Sequence, residues 1–231
     1  TIGGEYEGEK LGTYGDMAIF SFGRDKALSS VFGGALVTND AVLSEKIRVR
    51  YDAAPPPQLS WIVKQLLHPL ICWTTIHTFS FGLGKIILFL AKKFHILSLA
   101  VLSEEREGER PSFVGKKMPN ALAESALHQF SKLNRYNTHR IHIAKRYETA
   151  FSGFTTTYNL QPTTLSPESI PLRYTIQVEH PDELLRSAKA EGIYLGDWYR
   201  QAIAPERVSY GTIGYVPVSC LNAEKASQHS V

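Results

Sequence analysis

The sequence predicts an α/β fold with an apolar helical insertion near its middle and a small α/β domain at its C-terminal end. Three patterns support this prediction. Two short apolar runs of strand type, residues 17–22 and 33–39, enclose a polar loop. A long amphipathic helical pattern covers residues 117–151. A strand, helix, strand order follows over residues 174–199.

The loop between the two predicted strands carries the side chains of greatest chemical interest, Ser21, Arg24, Asp25 and Lys26. A lysine on a loop held between two buried strands is a candidate nucleophile that can form a Schiff base with a carbonyl group. Ser21, five residues earlier, could present its hydroxyl to a phosphate on the same ligand. Most lysines in such loops are solvated surface residues, so this pattern by itself leaves both interpretations open.

A helix is predicted over residues 40–51, with Asn39 or Asp40 as its cap. Three apolar side chains share one face of it: Leu43, Ile47 and Tyr51. A run of three prolines within residues 52–57 ends the helix.

Residues 59–101 form the most unusual part of the chain. Residues 65–84 contain no Asp, Glu, Lys or Arg, and this length reaches that of a transmembrane helix. Pro69 and the pair Gly82 and Gly84 are expected to interrupt the stretch before a second apolar helix with three lysines begins. Three interpretations stay open: soluble packing on the protein or a partner subunit, a hairpin in the membrane interface, and a true span.

Residues 103–111 are a charged linker that ends the insertion. The pattern over residues 117–151 then predicts one long amphipathic helix that allows a bend midway. Pro119 lies near its start, where a missing N–H group is harmless. Asn120 is expected to cap this helix.

A half-buried strand is predicted over residues 174–179, because apolar and polar side chains alternate there. Residues 180–192 have proline and two acids in the first turn and a glycine past the end, which predicts a helix. A strand or turn follows. Three of its side chains could approach a substrate, although packing is the default role of Trp and Tyr: Asp197, Trp198 and Tyr199.

Composition excludes several classes of function. The net charge of the 231 residues is only +3, with basic and acidic residues interspersed, so a nucleic-acid groove is not indicated. Cys72 and Cys220 lie far apart, and His68 and His77 fall on different helical faces, so neither a disulfide framework nor a metal site is expected. These features fit the reducing cytoplasm. Both ends of the sequence look cut, and we expect a longer parent protein.

The segment G-x-x-G-D-M-A-I-F-S-F-G-R-D-K-A-L-S-S-x-x-G-G-A-L-V-T-N-D, residues 12–40, resembles the lysine segment of the DegT/StrS-like sugar aminotransferases. These are pyridoxal phosphate (PLP) enzymes of fold type I. In that family the lysine of the S-F-x-x-x-K run carries PLP as a Schiff base, and the serine five residues before it binds the cofactor phosphate. By resemblance, Lys26 is the catalytic and cofactor-binding lysine, and Ser21 binds the cofactor.

The resemblance implies that the chain is the C-terminal part of a fold type I transferase. It divides the chain into part of the large PLP-binding domain (1–58), the apolar insertion with its charged linker (59–112), and the interdomain helix with a small C-terminal domain (113–231). The family's cofactor aspartate, phosphate turn and stacking aromatic residue would precede Thr1. Family members often have an amide side chain at the start of the interdomain helix that reaches the neighbouring subunit's phosphate. Leu122 occupies that position here.

The resemblance also implies a function. An amino group would pass from an amino-acid donor, by family habit glutamate, to a nucleotide-linked keto sugar for cell-surface polysaccharide or glycan biosynthesis. The protein would be a cytoplasmic homodimer, peripheral at the inner face of the membrane if residues 59–101 contact it. Family dehydratases replace the lysine with histidine, so Lys26 argues against that activity. The alternative is a catalytically inactive or membrane-attached binding module that keeps the fold.

Overall fold

The computed structural model of the chain describes residues 2–94, 96–97, 101–152, 161–162, 169–197, 200–204 and 208–231. The chain divides into two compact units. The first contains Thr1–Ala100 and Ser112–Asn137, and the second contains Val101–Pro111 and Thr138–Val231.

Short antiparallel strands begin the first unit: β1 (Glu5–Tyr6) with β2 (Glu9–Lys10), and β3 (Ala18–Ser21) with β4 (Gly34–Val37). The two strands predicted around the Lys26 loop are therefore confirmed, as β3 and β4. Side chains of β3 alternate between half-buried and exposed, as a strand with one covered face requires. The register places Ser21 directly opposite Gly34, so this pair closes the base of the loop.

Helices follow the strands along the chain. In chain order, those of the described residues are α1 (Ala41–Ala53), α2 (Leu59–His77), α3 (Leu83–Lys93), α4 (Ser103–Arg106), α5 (Asn120–Phe130), α6 (Leu133–Phe151), α7 (Pro181–Ala190), α8 (Tyr210–Ile213) and α9 (Leu221–His229). Asp40 caps α1, as predicted. Its carboxylate accepts hydrogen bonds from the N–H groups of Val42, at 2.7 Å, and Leu43, at 2.9 Å.

The apolar insertion folds as a helical hairpin of α2 and α3, joined by a 3-10 turn at Phe79–Phe81. The prediction that Pro69 interrupts the stretch is wrong, because α2 continues through it. An interior proline lacks the N–H donor and its ring crowds the carbonyl four residues earlier, which commonly kinks a helix without ending it. The chain reverses instead at Gly82, whose φ is +77°. Within the described part of the chain, neither helix of the hairpin nor any other is both long and apolar enough to cross a membrane.

The single long helix predicted from residue 117 onward is two helices, α5 and α6. Near the break, the N–H of Lys132 donates to the carbonyl of Gln129 at 3.0 Å, a three-residue spacing that tightens the last turn. The prediction that Asn120 caps the first helix is also wrong. Pro119 occupies the cap position with φ −65°, and Asn120 is the first helical residue.

The second unit contains β5 (Gln161–Pro162), which pairs antiparallel with β6 (Ile176–Gln177). The strand predicted over residues 174–179 is thus shorter than expected. Its neighbouring backbone groups bond instead to the end of the chain, where the N–H of Val178 donates to the carbonyl of His229 at 2.9 Å.

The remaining predictions for the second unit have mixed outcomes. The helix predicted over residues 180–192 is confirmed as α7, which begins at Pro181. The charged linker is not wholly irregular, because it includes α4. Residues 193–197 form no strand. Trp198 and Tyr199 lie outside the described residues.

Candidate functional site

The loop between β3 and β4 is fixed at both ends by buried and hydrogen-bonded residues. The N–H of Phe22 donates to the carbonyl of Gly33 at 2.9 Å, and the N–H of Ser30 donates to the carbonyl of Phe22 at 3.0 Å. Leu28 and Ser30 are each 2% exposed. Because these residues cannot move without losing burial or hydrogen bonds, the intervening residues 23–27 are held in a defined position.

Three side chains of the loop surround Gly23. A Cβ atom placed on Gly23 would lie 3.4 Å from Ser21 Oγ, 3.4 Å from Asp25 Oδ1 and 4.0 Å from Lys26 Cγ. The Gly23 N–H donates to Ser21 Oγ at 3.3 Å, and the Lys26 N–H donates to the Gly23 carbonyl at 3.1 Å. The two residues that the sequence singles out, Ser21 and Lys26, are therefore brought together around one glycine.

Asp25 belongs to this group although the sequence assigned it no role. Lys26 Nζ lies 2.8 Å from Asp25 Oδ2, and the two side chains are 38% and 29% exposed. The lysine amine is thus paired with a carboxylate and still open to a ligand. Consecutive residues in a loop have no preferred side-chain contact, so the sequence contains no signal for this pair.

The loop is also tied to the apolar insertion. Arg24 Nη2 donates to Gln65 Oε1 at 3.3 Å, and Gln65 is 1% exposed. Burial lowers the pKa of the Arg24 guanidinium from its ordinary value, an effect that Cys72 partly offsets. Burial, and to a lesser extent the Arg24 charge, lowers the pKa of His68. A single sequence gives no signal for a contact across 41 positions.

A cavity of about 300 Å³ adjoins the far end of the loop and was missed by the sequence analysis. Its lining includes Gly33, Trp61, Phe113 and Lys117. The rings of Trp61 and Phe113 are stacked with their centroids 6.0 Å apart. One wall of the cavity therefore comes from the insertion and another from the loop.

The other described positions that the resemblance or the sequence raised are Leu122, Asn120 and Asp197. Leu122 is 1% exposed; its side chain packs in the core and lines the cavity beside Gly33. Asn120 and Asp197 are exposed. Among the residues that the structure describes, no group of three or more His, Cys, Asp or Glu side chains is arranged to hold a metal ion.

Comparison with known proteins identifies the family. The family model of the DegT/DnrJ/EryC1/StrS aminotransferases matches residues 1–54 and 90–231, which is most of the chain. The EpsN protein of Bacillus subtilis is 30% identical over 122 residues, which are 53% of this chain and 27% of EpsN. A UDP-4-amino-4,6-dideoxy-N-acetyl-beta-L-altrosamine transaminase of Campylobacter jejuni is 42% identical over 48 residues, 21% of this chain and 13% of that protein.

The fold is similar to that of solved family members. A DegT DnrJ EryC1 StrS aminotransferase from Brucella abortus matches with a TM-score of 0.63 at 19% identity, over 100% of this chain and 48% of that one. The chain therefore spans about half the length of this structure and a smaller share of the curated relatives. The likeness confirms the predicted fold class, an α/β fold of the fold type I transferases. With the family model matched over most of its length, the chain belongs to the DegT/DnrJ/EryC1/StrS aminotransferase family.

Proposed function

We propose that this chain forms part of a PLP-dependent aminotransferase in which Lys26 is the covalent anchor of the cofactor and Ser21 binds its phosphate. The observation that carries the proposal is the convergence of these two side chains around Gly23. PLP presents an aldehyde and a phosphate. Lys26 carries a primary amine that can react with the aldehyde, and Ser21 carries a hydroxyl that can donate to the phosphate.

When bound, PLP supplies an electron sink for negative charge on the carbon next to the reacting nitrogen. The residues of the loop have separate tasks around it. Lys26 holds the cofactor through Nζ. After its release, Nζ would take the proton from the substrate carbon next to the nitrogen and deliver it to the carbon that was the cofactor's aldehyde, so that the amino group changes carrier. Ser21 donates its hydroxyl proton to a phosphate oxygen. Asp25 orients the Lys26 amine before the cofactor arrives, through the contact at 2.8 Å.

The proposed amino acceptor is a nucleotide-linked keto sugar, and the proposed donor is glutamate. The name of the Campylobacter jejuni relative, a transaminase of a UDP-linked amino sugar, supports this substrate class. The product would serve cell-surface polysaccharide or glycan biosynthesis. A homodimer is proposed as the active form, because the resemblance places parts of two subunits around each cofactor.

Borohydride reduction of the full-length protein with PLP, followed by peptide mapping, tests the proposal. We expect one pyridoxyl label on Lys26, and loss of this label in Lys26→Ala. Lys46→Ala, which changes an exposed lysine of α1, should keep it. Ser21→Ala should retain the label but bind PLP about 10- to 100-fold more weakly, the usual cost of one hydrogen bond to a charged group.

A label on a different lysine would overturn the role of Lys26. No label at all would favour the alternative function, a binding module that keeps the aminotransferase fold without its chemistry.

A further inference from the structure

The fully buried side chains of the α2–α3 hairpin are small or polar, whereas many of its large apolar side chains are exposed. Its buried residues are Gln65, Thr75, Gly84 and Ala91. The helices approach so closely that a Cβ on Gly84 would lie 2.3 Å from the Thr75 carbonyl oxygen. A helical hairpin that is exposed to water usually has the opposite arrangement, with large apolar side chains between its helices.

The outward-facing apolar side chains are large and numerous. Leu70, Trp73 and Ile76 of α2 are 61%, 61% and 71% exposed, and Phe89 of α3 is 62% exposed. Phe81, at the turn of the hairpin, is 86% exposed. Clusters of exposed large apolar side chains commonly mark a binding surface.

The charges of the same segment all have one sign. Residues 53–103 contain no Asp or Glu, whereas four lysines lie within them. Three of these, Lys85, Lys92 and Lys93, are exposed on α3. Lys85 Nζ lies 5.4 Å from the centroid of the Phe79 ring, so a cation and an aromatic ring stand together beside the turn. This surface is complementary to one that is apolar in depth and negatively charged at its rim.

Part of this surface lies outside the match to the family model. The family model stops at residue 54 and resumes at residue 90, so α2, the turn and most of α3 have no counterpart in it. Among the described residues, no helix is long and apolar enough to span a bilayer.

We propose that the α2–α3 hairpin docks on the surface of an anionic lipid bilayer. The apolar side chains enter the interface, and the lysines of α3 contact lipid phosphates and carboxylates. Aromatic side chains such as Trp73 and Phe81 suit the membrane–water interface, which lies between the apolar lipid chains and the aqueous phase. The proposal stands independently of the role of Lys26, because none of its observations involves the loop chemistry.

Vesicle flotation of the full-length protein tests the proposal. We expect flotation with phosphatidylcholine vesicles that contain phosphatidylglycerol, and little flotation with phosphatidylcholine alone or at high salt. The triple variant Lys85→Gln, Lys92→Gln, Lys93→Gln should bind about 100-fold more weakly, or about fivefold for each lysine. A control with the same charge change on exposed residues of α1, Lys46→Gln, Arg48→Gln, Arg50→Gln, should float like the wild type.

Tryptophan fluorescence gives a second measurement that does not depend on the charge variants. Anionic vesicles should shift the emission to shorter wavelength, and Trp73→Phe should lose most of the shift while still floating. Phe81→Ser should float less. Absence of wild-type flotation, or equal flotation with neutral vesicles, would overturn the proposal. A monomer–dimer shift in Phe81→Ser without vesicle binding would assign the surface to a second copy instead.

Discussion

At the base of the Lys26 loop, the backbone leaves no room for a side chain at Gly34. A Cβ there would lie 2.7 Å from the carbonyl oxygen of Phe20 on the paired strand. Neither strand can move away without shifting Ser21, which lies opposite Gly34. The second residue of the glycine pair that follows the loop must therefore be small, because a side chain at position 34 would displace Ser21.

We therefore predict that Gly34→Ala destabilises the full-length protein by about 1–3 kcal/mol, the usual cost of forcing an extra group into a packed site. Urea unfolding measures this change. Gly15→Ala is the matched control, because its new Cβ would meet the nearest atom at 3.6 Å. Its free energy of unfolding should change by less than about 0.5 kcal/mol. Equal losses in the two variants would contradict the steric argument.

His68 should make the stability of the protein depend on pH. Burial first, and the charge of Arg24 second, lower its folded pKa below the ordinary value of 6.5. The unfolded state then binds the proton more readily, so the stability is fully present above about pH 6.5 and decreases as pH falls below it. One proton limits the slope to about 1.4 kcal/mol for each pH unit.

Urea unfolding between about pH 7.5 and pH 5 checks this prediction. His68→Gln should remove part of the slope, whereas His142→Gln, which changes an exposed side chain of α6, should leave it unchanged. An identical slope in the His68 variant would show that the proton binds elsewhere.

The site residues differ in how far the sequence could reveal them. Lys26 and Ser21 follow from a motif in which spacing, strand and glycine pair agree. The contact of Lys26 with Asp25 and that of Arg24 with Gln65 could not be predicted. The first depends on loop torsion angles, and the second joins segments whose approach is set by tertiary packing.

At the scale of the elements, the cap of α1 is one of the clearest links from sequence to structure. Asp40→Ala should destabilise the protein by about 1 kcal/mol, because it removes the acceptor of two backbone N–H groups. Asp40→Asn keeps an acceptor oxygen and should destabilise the protein by only about 0.3 kcal/mol. Thermal unfolding of the two variants beside the wild type makes the comparison, and an Asn variant as unstable as the Ala variant would exclude a capping role.

The hairpin should depend on the absence of a side chain at Gly84. In Gly84→Ala the new methyl group meets the backbone of α2, so the two helices must separate. Hydrogen-exchange mass spectrometry of the full-length protein should then show faster exchange of peptides in residues 59–93. Peptides of α5 serve as an internal control and should exchange as before. Unchanged exchange in the hairpin would mean that the helices are not packed at this point.

Elements with strong local signals could be predicted, and those decided by tertiary contacts could not. The proline and acids that begin α7 and the Asp40 cap of α1 act through neighbouring residues. β6 covers only two residues, and its backbone also bonds to Val231, far away in sequence. The break after α5 could not be predicted from periodicity, because the spacing of apolar residues continues across it. The backbone there forms a tighter turn with a three-residue hydrogen bond.

At the scale of the whole molecule, the 231 residues match about half the length of the solved structures of the family. The proposed site within them brings the Ser21 hydroxyl, the Asp25 carboxylate and the Lys26 side chain close to Gly23. By resemblance, the family's complete site also uses an aspartate, a phosphate-binding turn and a stacking aromatic residue, together with groups from a second subunit. Each of these adds binding energy that the loop alone does not supply.

We therefore predict that the 231 residues by themselves bind PLP weakly, whereas the full-length protein binds it tightly. The absorbance of PLP, titrated with each protein, measures the difference. The short chain should give no saturable change at stoichiometric concentration, and its Lys26→Ala variant should behave the same, because any slow reaction would be that of ordinary surface lysines. Stoichiometric binding by the short chain that disappears in Lys26→Ala would contradict this prediction. The loop would then be a sufficient cofactor site, and the resemblance would overstate what the family's other residues contribute here.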